Sequence, residues 1–479
     1  QIISTTFIFL SDLVYLDNKS IEMKNVLYIL FILLFVACDN TSVPVVSELP
    51  PMTKTDMAEG ILYEANIRQY SKEGTFDAFA NDLPKLKQMG VKILWLMPIN
   101  PISTTKSKGP LGSYYAVADY TGVNSEFGTL EDLKDLVTQA HDLGIYVILD
   151  WVPGHTGWDN HWIKDHPEYY LQNEAGEIID PINPFTGESF GWTDVADLNY
   201  DNIEMRQAMR EAMVYWVKEV NIDGYRVDQA YAVPMEFYKK TFAALREVKP
   251  VFLLAETDVN HPGGIEMVDL FDASYDWPGH HLLKDIVHGK KNVADWDSHI
   301  ENLLETYNDH NIVVNFISNH DENSWNGTVQ ESFGAAADVS LALDYLSPGM
   351  PLIYSGMEYD LDKRLLFFEK DSFPKVAGKT FKLLEQLGAL KLQHPALHSG
   401  IDRGTYRRLS TSRDENVLAF ERTKKGDTVV FIANISAEYV GFTAPYNGTF
   451  KRFEDGKVKI LSDTYEHRMR PWEFWILTK

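Results

Sequence analysis

The stretch IYVILDWVPGH (145–155) decides the fold. Its first five residues are apolar or β-branched, the composition of a strand buried on both faces. It then opens into Asp150, Pro153, Gly154 and His155, polar and turn-forming residues that end a strand. The same design, an apolar run with a polar carboxyl end, returns in IDGYRVD (222–228), VFLLAE (251–256) and IVVNFISNHD (312–321). Four more strand candidates, 61–70, 91–98, 271–277 and 351–355, bring the number to eight.

Helical patterns lie between them. Phe76, Phe79, Leu83, Leu86 and Met89 recur at three- and four-residue steps and stop at Gly90. Leu130, Leu133 and Val137 do the same before Gly144, and further helices are expected near 203–219 and 376–392. Eight strands alternating with helices predict a parallel sheet closed into a (β/α)8 barrel. The alternation is interrupted once. Residues 156–198, rich in aromatic residues, Gly, Pro and Asp, are too many for a plain loop and predict an inserted subdomain after the third strand. Near the carboxyl end, NVLAFER and DTVVFIANIS flank TKKG, a hairpin signal, and WEFWIL follows. That end predicts an all-β sandwich. The expected organisation is a barrel over 57–395, with 156–198 inserted, and a β-domain over 396–479.

Composition narrows the functions available. The 479 residues carry 69 Asp and Glu against 44 Lys and Arg, a formal charge of −25. That balance excludes non-specific nucleic-acid binding and charge-driven docking on anionic lipid. The single cysteine, Cys38, excludes a disulfide framework and cysteine-based metal sites. Cys38 closes the run VLYILFILLFVA (26–37), which is too short to span a bilayer but right for a signal-peptide core. Lys24 supplies the positive flank, and Met23 reads as the translation start. The order apolar core, Ala37, cysteine resembles a bacterial lipoprotein signal, although Phe35 stands where Leu is usual. Residues 1–38 are therefore expected to be an upstream segment plus signal, and 39–56 a polar, Pro-rich linker. The expectation is an exported protein held to the membrane by a lipid on Cys38.

Catalytic groups of such barrels stand at the carboxyl ends of the strands. Arg226 and Asp228 are two residues apart and share one strand face. An Arg beside a carboxylate holds it ionised, as a nucleophile requires. Glu256 follows VFLLA, and apolar surroundings raise a carboxyl pKa, as a general acid requires. Two carboxylates in different environments are the equipment of a retaining glycosidase. A third, Asp321, would favour positive charge developing on a sugar ring. One Asp at a strand end is ordinarily a capping or salt-bridged residue, but four polar clusters, on the third, fourth, fifth and seventh strands, point to one shared cavity.

DWVPGH, GYRVD, the Glu after LLA and SNHD resemble the four conserved regions of the α-amylase family (glycoside hydrolase family 13). Ala196-Asp-Leu-Asn199 resembles the fifth region, and GSYYAVADY (112–120) the second-loop motif. The resemblance runs from about residue 60 to the end. It implies that Asp228 is the nucleophile, Glu256 the acid and then the base, and Asp321 a group that grips the sugar hydroxyls in the transition state. It implies that Arg226 orients Asp228, that His155 and His320 hydrogen-bond the central sugar, that Asp150 organises that wall of the substrate site, and that Tyr115 stacks on the same sugar. Trp277, Trp151 and Tyr231 sit at or after strand ends, where sugars could also stack. The implied activity is retaining hydrolysis of α-glucosidic bonds, mainly α-1,4, in starch, glycogen or malto-oligosaccharides. Transglycosylation, α-1,6 (debranching) specificity and a non-catalytic glucan-binding barrel are the alternatives. Two departures concern calcium. Gly154 replaces the usual Asn, and Tyr231-Ala232 replaces the usual Lys-His. The first loop, SKEGTF (71–76), also lacks an Asp-rich run. No cofactor is expected to be required, the family's calcium site is expected to be lost, and another calcium site remains open.

Overall fold

The computed structural model describes residues 49–307, 310–444 and 447–479. The signal and the attachment point expected at Cys38 lie outside the described residues.

Eight parallel strands close into a barrel: β1 (Leu62–Ala65), β2 (Ile93–Leu96), β3 (Tyr146–Trp151), β6 (Gly224–Val227), β7 (Phe252–Ala255), β8 (Ala273–Tyr275), β9 (Ile312–Asn315) and β10 (Met350–Tyr354). Around the ring they run β1, β2, β3, β6, β7, β8, β9, β10 and back to β1. All but the last of the observed strands are shorter than the apolar runs that announced them. In the first run, only 62–65 is strand and Ile67–Tyr70 turns into a short helix. The loops that carry the chemistry therefore begin inside the predicted strands.

Alternation along each strand separates two cores. Leu62, Ile93, Trp95, Tyr146, Ile148, Phe252 and Leu254 point inward and fill the barrel. Leu94, Leu96, Val147, Leu149, Tyr225 and Val227 point outward against the helices. Each such burial contributes about 1.5–3 kcal/mol. Gly224 has φ +151°, and a Cβ there would lie 1.8 Å from the Phe252 carbonyl oxygen. β6 and β7 approach this closely only because the position has no side chain.

Helix Leu130–Asp142 starts at a capping box between Thr129 and Asp132. Helix Lys54–Glu59 starts in the same way at Thr53, and Met52 and Met57 seal the barrel's lower end. The linker expected over 39–56 thus ends earlier, because burial of Met52 draws the following residues into the barrel. The insertion after β3 contains β4 (His155–Gly157) paired antiparallel with β5 (Val195–Asp197).

After helix Lys379–Gln393 the chain becomes all-β. β11 (Thr405–Arg408), β12 (Val417–Lys424), β13 (Asp427–Asn434), β18 (Phe474–Thr478), β15 (Gly448–Arg452) and β16 (Val458–Leu461) form one sheet in that order. β14 (Val440–Phe442) pairs with β17 (His467–Met469). The TKKG turn joins β12 to β13 in the register Lys424↔Asp427.

Two buried cations mark the junction with the barrel. Arg422 donates to the carbonyls of Leu346 (2.9 Å) and His398 (3.1 Å). Lys391 donates to those of Gly349 (3.2 Å) and Leu397 (2.9 Å). Burial, with Arg422 adding to it, pulls the Lys391 ammonium down to about 7.

Candidate active site

Strand period decides which side chains reach the barrel mouth. Asp150 lies opposite Arg226 in the β3–β6 register, and Arg226 opposite Leu254 in β6–β7. One further inward position along each strand gives Asp228 and Glu256. The ladder continues past the strands, with Asp228 N–H donating to Trp151 O (2.8 Å) and Glu256 N–H to Val227 O (3.0 Å).

Arg226 is fully buried and joins three carboxylates. Its Nη1 donates to Asp150 Oδ1 and to Asp228 Oδ1, both at 2.9 Å, and its Nη2 lies 2.8 Å from Glu256 Oε1. Its guanidinium also sits 5.0 Å from the Trp95 ring. The other Glu256 oxygen accepts from the backbone N–H of Gln229 (2.7 Å). Gln229 is held in the left-handed region (φ 41°), which aims that N–H at the carboxylate. A non-glycine residue in such a conformation costs of order 1–3 kcal/mol and is typical of active sites.

Burial pushes Glu256 up to about 7, with Asp228 and Asp321 adding to the rise and Arg226 opposing it. The acid expected from the apolar run is thus also raised by its carboxylate neighbours. Asp228 departs from expectation. Burial lifts it to about 6 despite the pull of Arg226, which is shared with Asp150 and Glu256.

A second chain of contacts approaches from β1, β2 and β9. His320 Nδ1 lies 2.6 Å from Glu64 Oε1, and its Nε2 lies 2.9 Å from Tyr115 Oη and 3.5 Å from Asp321 Oδ2. The Tyr115 hydroxyl donates to Asp150 Oδ2 (3.0 Å), and the Tyr115 ring stacks on His320 at 5.5 Å. Burial lowers the His320 pKa, but Asp321 and Glu64 outweigh it and lift the group to about 9. Both ring nitrogens therefore carry protons at neutral pH. His155, on β4, is the opposite case: burial takes it down to about 4, so its ring is neutral.

These groups surround a cavity of about 450 Å³, within the range of small-molecule sites. Asp228, Glu256, Asp321, His155, His320 and Tyr115 all line it. Asp150 and Arg226 do not; they lie beneath it and hold the residues that do. Trp277 is also not part of the lining. It stacks on Tyr275 (5.8 Å) and meets Phe316 edge-on (4.9 Å). Trp151 points outward into the helical layer against Tyr120 and Tyr225, because odd positions of β3 face away from the barrel axis.

Several lining residues escaped the sequence reading: Lys108, Trp192, Asp194, Trp325, Phe367 and Phe368. They come from loops without periodicity. Glu64 was detectable, as a charged residue two positions after Leu62 in a buried strand.

The family's usual calcium site lacks one side-chain ligand here. Gly154 offers no side chain where the family has an Asn ligand, while Ala232 keeps its backbone carbonyl. One oxygen of the nearby Asp197 accepts from Ile182 N–H (3.1 Å). Among the described residues no group of three or more His, Cys, Asp and Glu could hold a metal ion.

Comparison with known proteins agrees with this geometry. Residues 53–386 match the model of the alpha amylase catalytic domain. The alpha-amylase MalA of Haloarcula japonica is 26% identical over 407 residues, 82% of this chain and 58% of that protein. The beta/alpha-amylase of Paenibacillus polymyxa is 27% identical over 438 residues, 85% of this chain and 35% of that protein. The chain thus spans between about a third and three fifths of the length of these two relatives. Among solved structures, a maltogenic alpha-amylase from Thermotoga neapolitana superposes with a TM-score of 0.79 at 27% identity, covering 88% of this chain and 99% of that one.

Proposed function

Because the chain belongs to the alpha-amylase family, we propose that it hydrolyses α-glucosidic bonds with retention, mainly α-1,4 bonds of starch, glycogen or malto-oligosaccharides. One observation carries this reading. A single buried guanidinium, Arg226, contacts both Asp228 and Glu256 at the carboxyl ends of adjacent strands, and these two carboxylates line a cavity of sugar-binding size.

Glu256 enters protonated, since burial and its carboxylate neighbours favour the neutral form. It gives its proton to the glycosidic oxygen as the bond to the anomeric carbon breaks. Asp228 attacks that carbon from the opposite face and forms a glycosyl ester. Water, deprotonated by Glu256, then attacks the same carbon and releases Asp228. Two inversions leave the configuration unchanged. Asp321 and the doubly protonated His320 hydrogen-bond the hydroxyls of the sugar held between them, and the neutral His155 does so from β4. Tyr115 offers its ring to the same sugar. Asp150 and Arg226 position the others from below.

The same reading extends to metal and location. The enzyme works without calcium at the family's usual site, because Gly154 offers no side-chain ligand there; a calcium ion elsewhere stays open. It is exported and lipid-anchored at Cys38, a reading that rests on residues 24–38 alone.

The test uses soluble starch and proton NMR. The first product formed carries the α-anomeric configuration, and Asp228→Asn lowers the rate by about 10⁴-fold or more, the scale of losing a catalytic group. Equal sugar release by wild type and variant, or a β-anomer first, overturns the assignment.

A further inference from the structure

We propose that the enzyme attacks α-glucan chains from their non-reducing ends and releases short products, because the glycone side of its cavity is walled off. The inference rests on the function proposed above.

The direction of the bound chain follows from the acid. Glu256 must touch the leaving-group oxygen, so the leaving portion of the glucan extends on its side. Glu256 follows β7, which lies across the barrel from β1, four strands away in either direction. The glycone therefore extends toward the loops after β1, β2 and β10.

Those three loops are knitted together. Arg68, after β1, donates to the carbonyls of Gly112 (3.1 Å) and Leu111 (3.2 Å) in the loop after β2. Gln69 donates to Leu366 O (2.6 Å) in the loop after β10, and Leu111 N–H donates to Phe368 O (3.0 Å). Gly109 has φ +64°, and a Cβ there would sit 2.4 Å from the Cβ of Phe368, so the two loops touch without a gap. The far end of the β2 loop is tied to the insertion. Lys108 pairs with Asp194 (2.9 Å), and Thr105 N–H donates to Asp159 (2.9 Å). The inner face of the wall is aromatic: Phe367 lies 5.2 Å from Trp325 and 4.9 Å from Phe368, ring to ring.

The other side differs. After β6 and β7, Tyr231 stacks on His261 at 4.4 Å and faces Phe185 at 6.3 Å, and Phe185 is 49% exposed. Sugar rings stack on such surfaces, and this platform continues outward where the glycone side ends. At protein packing density, a 450 Å³ cavity holds roughly two hexose rings. With a wall behind the cleaved sugar, the released piece is one or two glucose units long.

The experiment follows maltoheptaose labelled at its reducing end, early in the reaction. Removal of glucose or maltose from the unlabelled end leaves labelled maltohexaose or maltopentaose. These are expected to exceed shorter labelled products by at least about tenfold, a preference of about 1.4 kcal/mol. Trp325→Ala, at a half-exposed position, and Phe368→Ala widen the wall and shift the labelled products toward shorter chains. Labelled di- and trisaccharides from the first time points of wild type overturn the inference, as do unchanged profiles in both variants. Absence of sugar release from any α-glucan would instead overturn the proposed function.

Discussion

Replacing Glu64 by Gln removes the buried negative partner of His320 without changing the size of the side chain. In the folded protein His320 stands at about 9 against an ordinary 6.5. That difference corresponds to about 3 kcal/mol between the protonated and neutral forms. Asp321 also holds the proton and stays in place, so loss of Glu64 is expected to remove about 2 kcal/mol of it. A folded-state pKa above the unfolded one stabilises the fold fully below the unfolded value, and the gain disappears as pH rises through the folded value. The window is therefore pH 6.5 to 9. Glu64 acts with the same sign, since burial raises its own carboxyl and favours its protonated form. Urea unfolding of wild type and Glu64→Gln, measured below and above this window, tests the point. Wild type is expected to be more stable at the lower pH, and the gap is expected to close by about 2 kcal/mol at the higher. A gap that stays constant across the window refutes the reasoning.

The pH profile of kcat/KM is expected to be a narrow bell. The acidic limb reflects ionisation of Asp228, near 6, and the alkaline limb loss of the Glu256 proton, near 7, with both limbs belonging to the coupled pair. On an aryl α-glucoside whose leaving group needs no proton, Glu256→Gln keeps glycosylation but loses the alkaline limb; a limb that persists assigns it elsewhere. Trp151→Ala costs about 3–5 kcal/mol in a denaturation curve and leaves the product pattern unchanged, because the ring packs outside the barrel. Prolonged incubation with a chelator leaves activity and melting temperature unchanged, and a marked fall in either reveals a calcium site.

The barrel was legible because two signals coincide in it. Apolar runs gave the strand positions, and their polar ends gave the mouth. Period two along IDGYRVD was enough to place Arg226 and Asp228 on one face, where the structure finds them 2.9 Å apart. It was not enough to set the Asp228 pKa, since a strand pattern shows an ion pair but not the depth of its burial or how many carboxylates share the cation. Period two along β3 also separates neighbours that the sequence reading grouped together at the mouth. Trp151 and Asp150 are adjacent, yet one enters the helical layer and the other the barrel. The wall of the cavity had no sequence signature, because loops 102–112 and 366–371 are held by side chains, Arg68 and Gln69, that donate to loop carbonyls some 40 to 300 residues away.

The paired cations at Arg422 and Lys391 have a consequence for how the chain comes apart. Their hydrogen bonds end on main-chain oxygens of the barrel side, Leu346 and Gly349, and of the connecting segment, Leu397 and His398. Pulling the β-domain away would strand the Arg422 guanidinium and the Leu346 carbonyl, and would draw the Leu397 carbonyl away from the Lys391 ammonium on helix Lys379–Gln393. The sheet at the carboxyl end is thus less a neighbour of the barrel than its last closing turn, and the two are expected to melt in one transition.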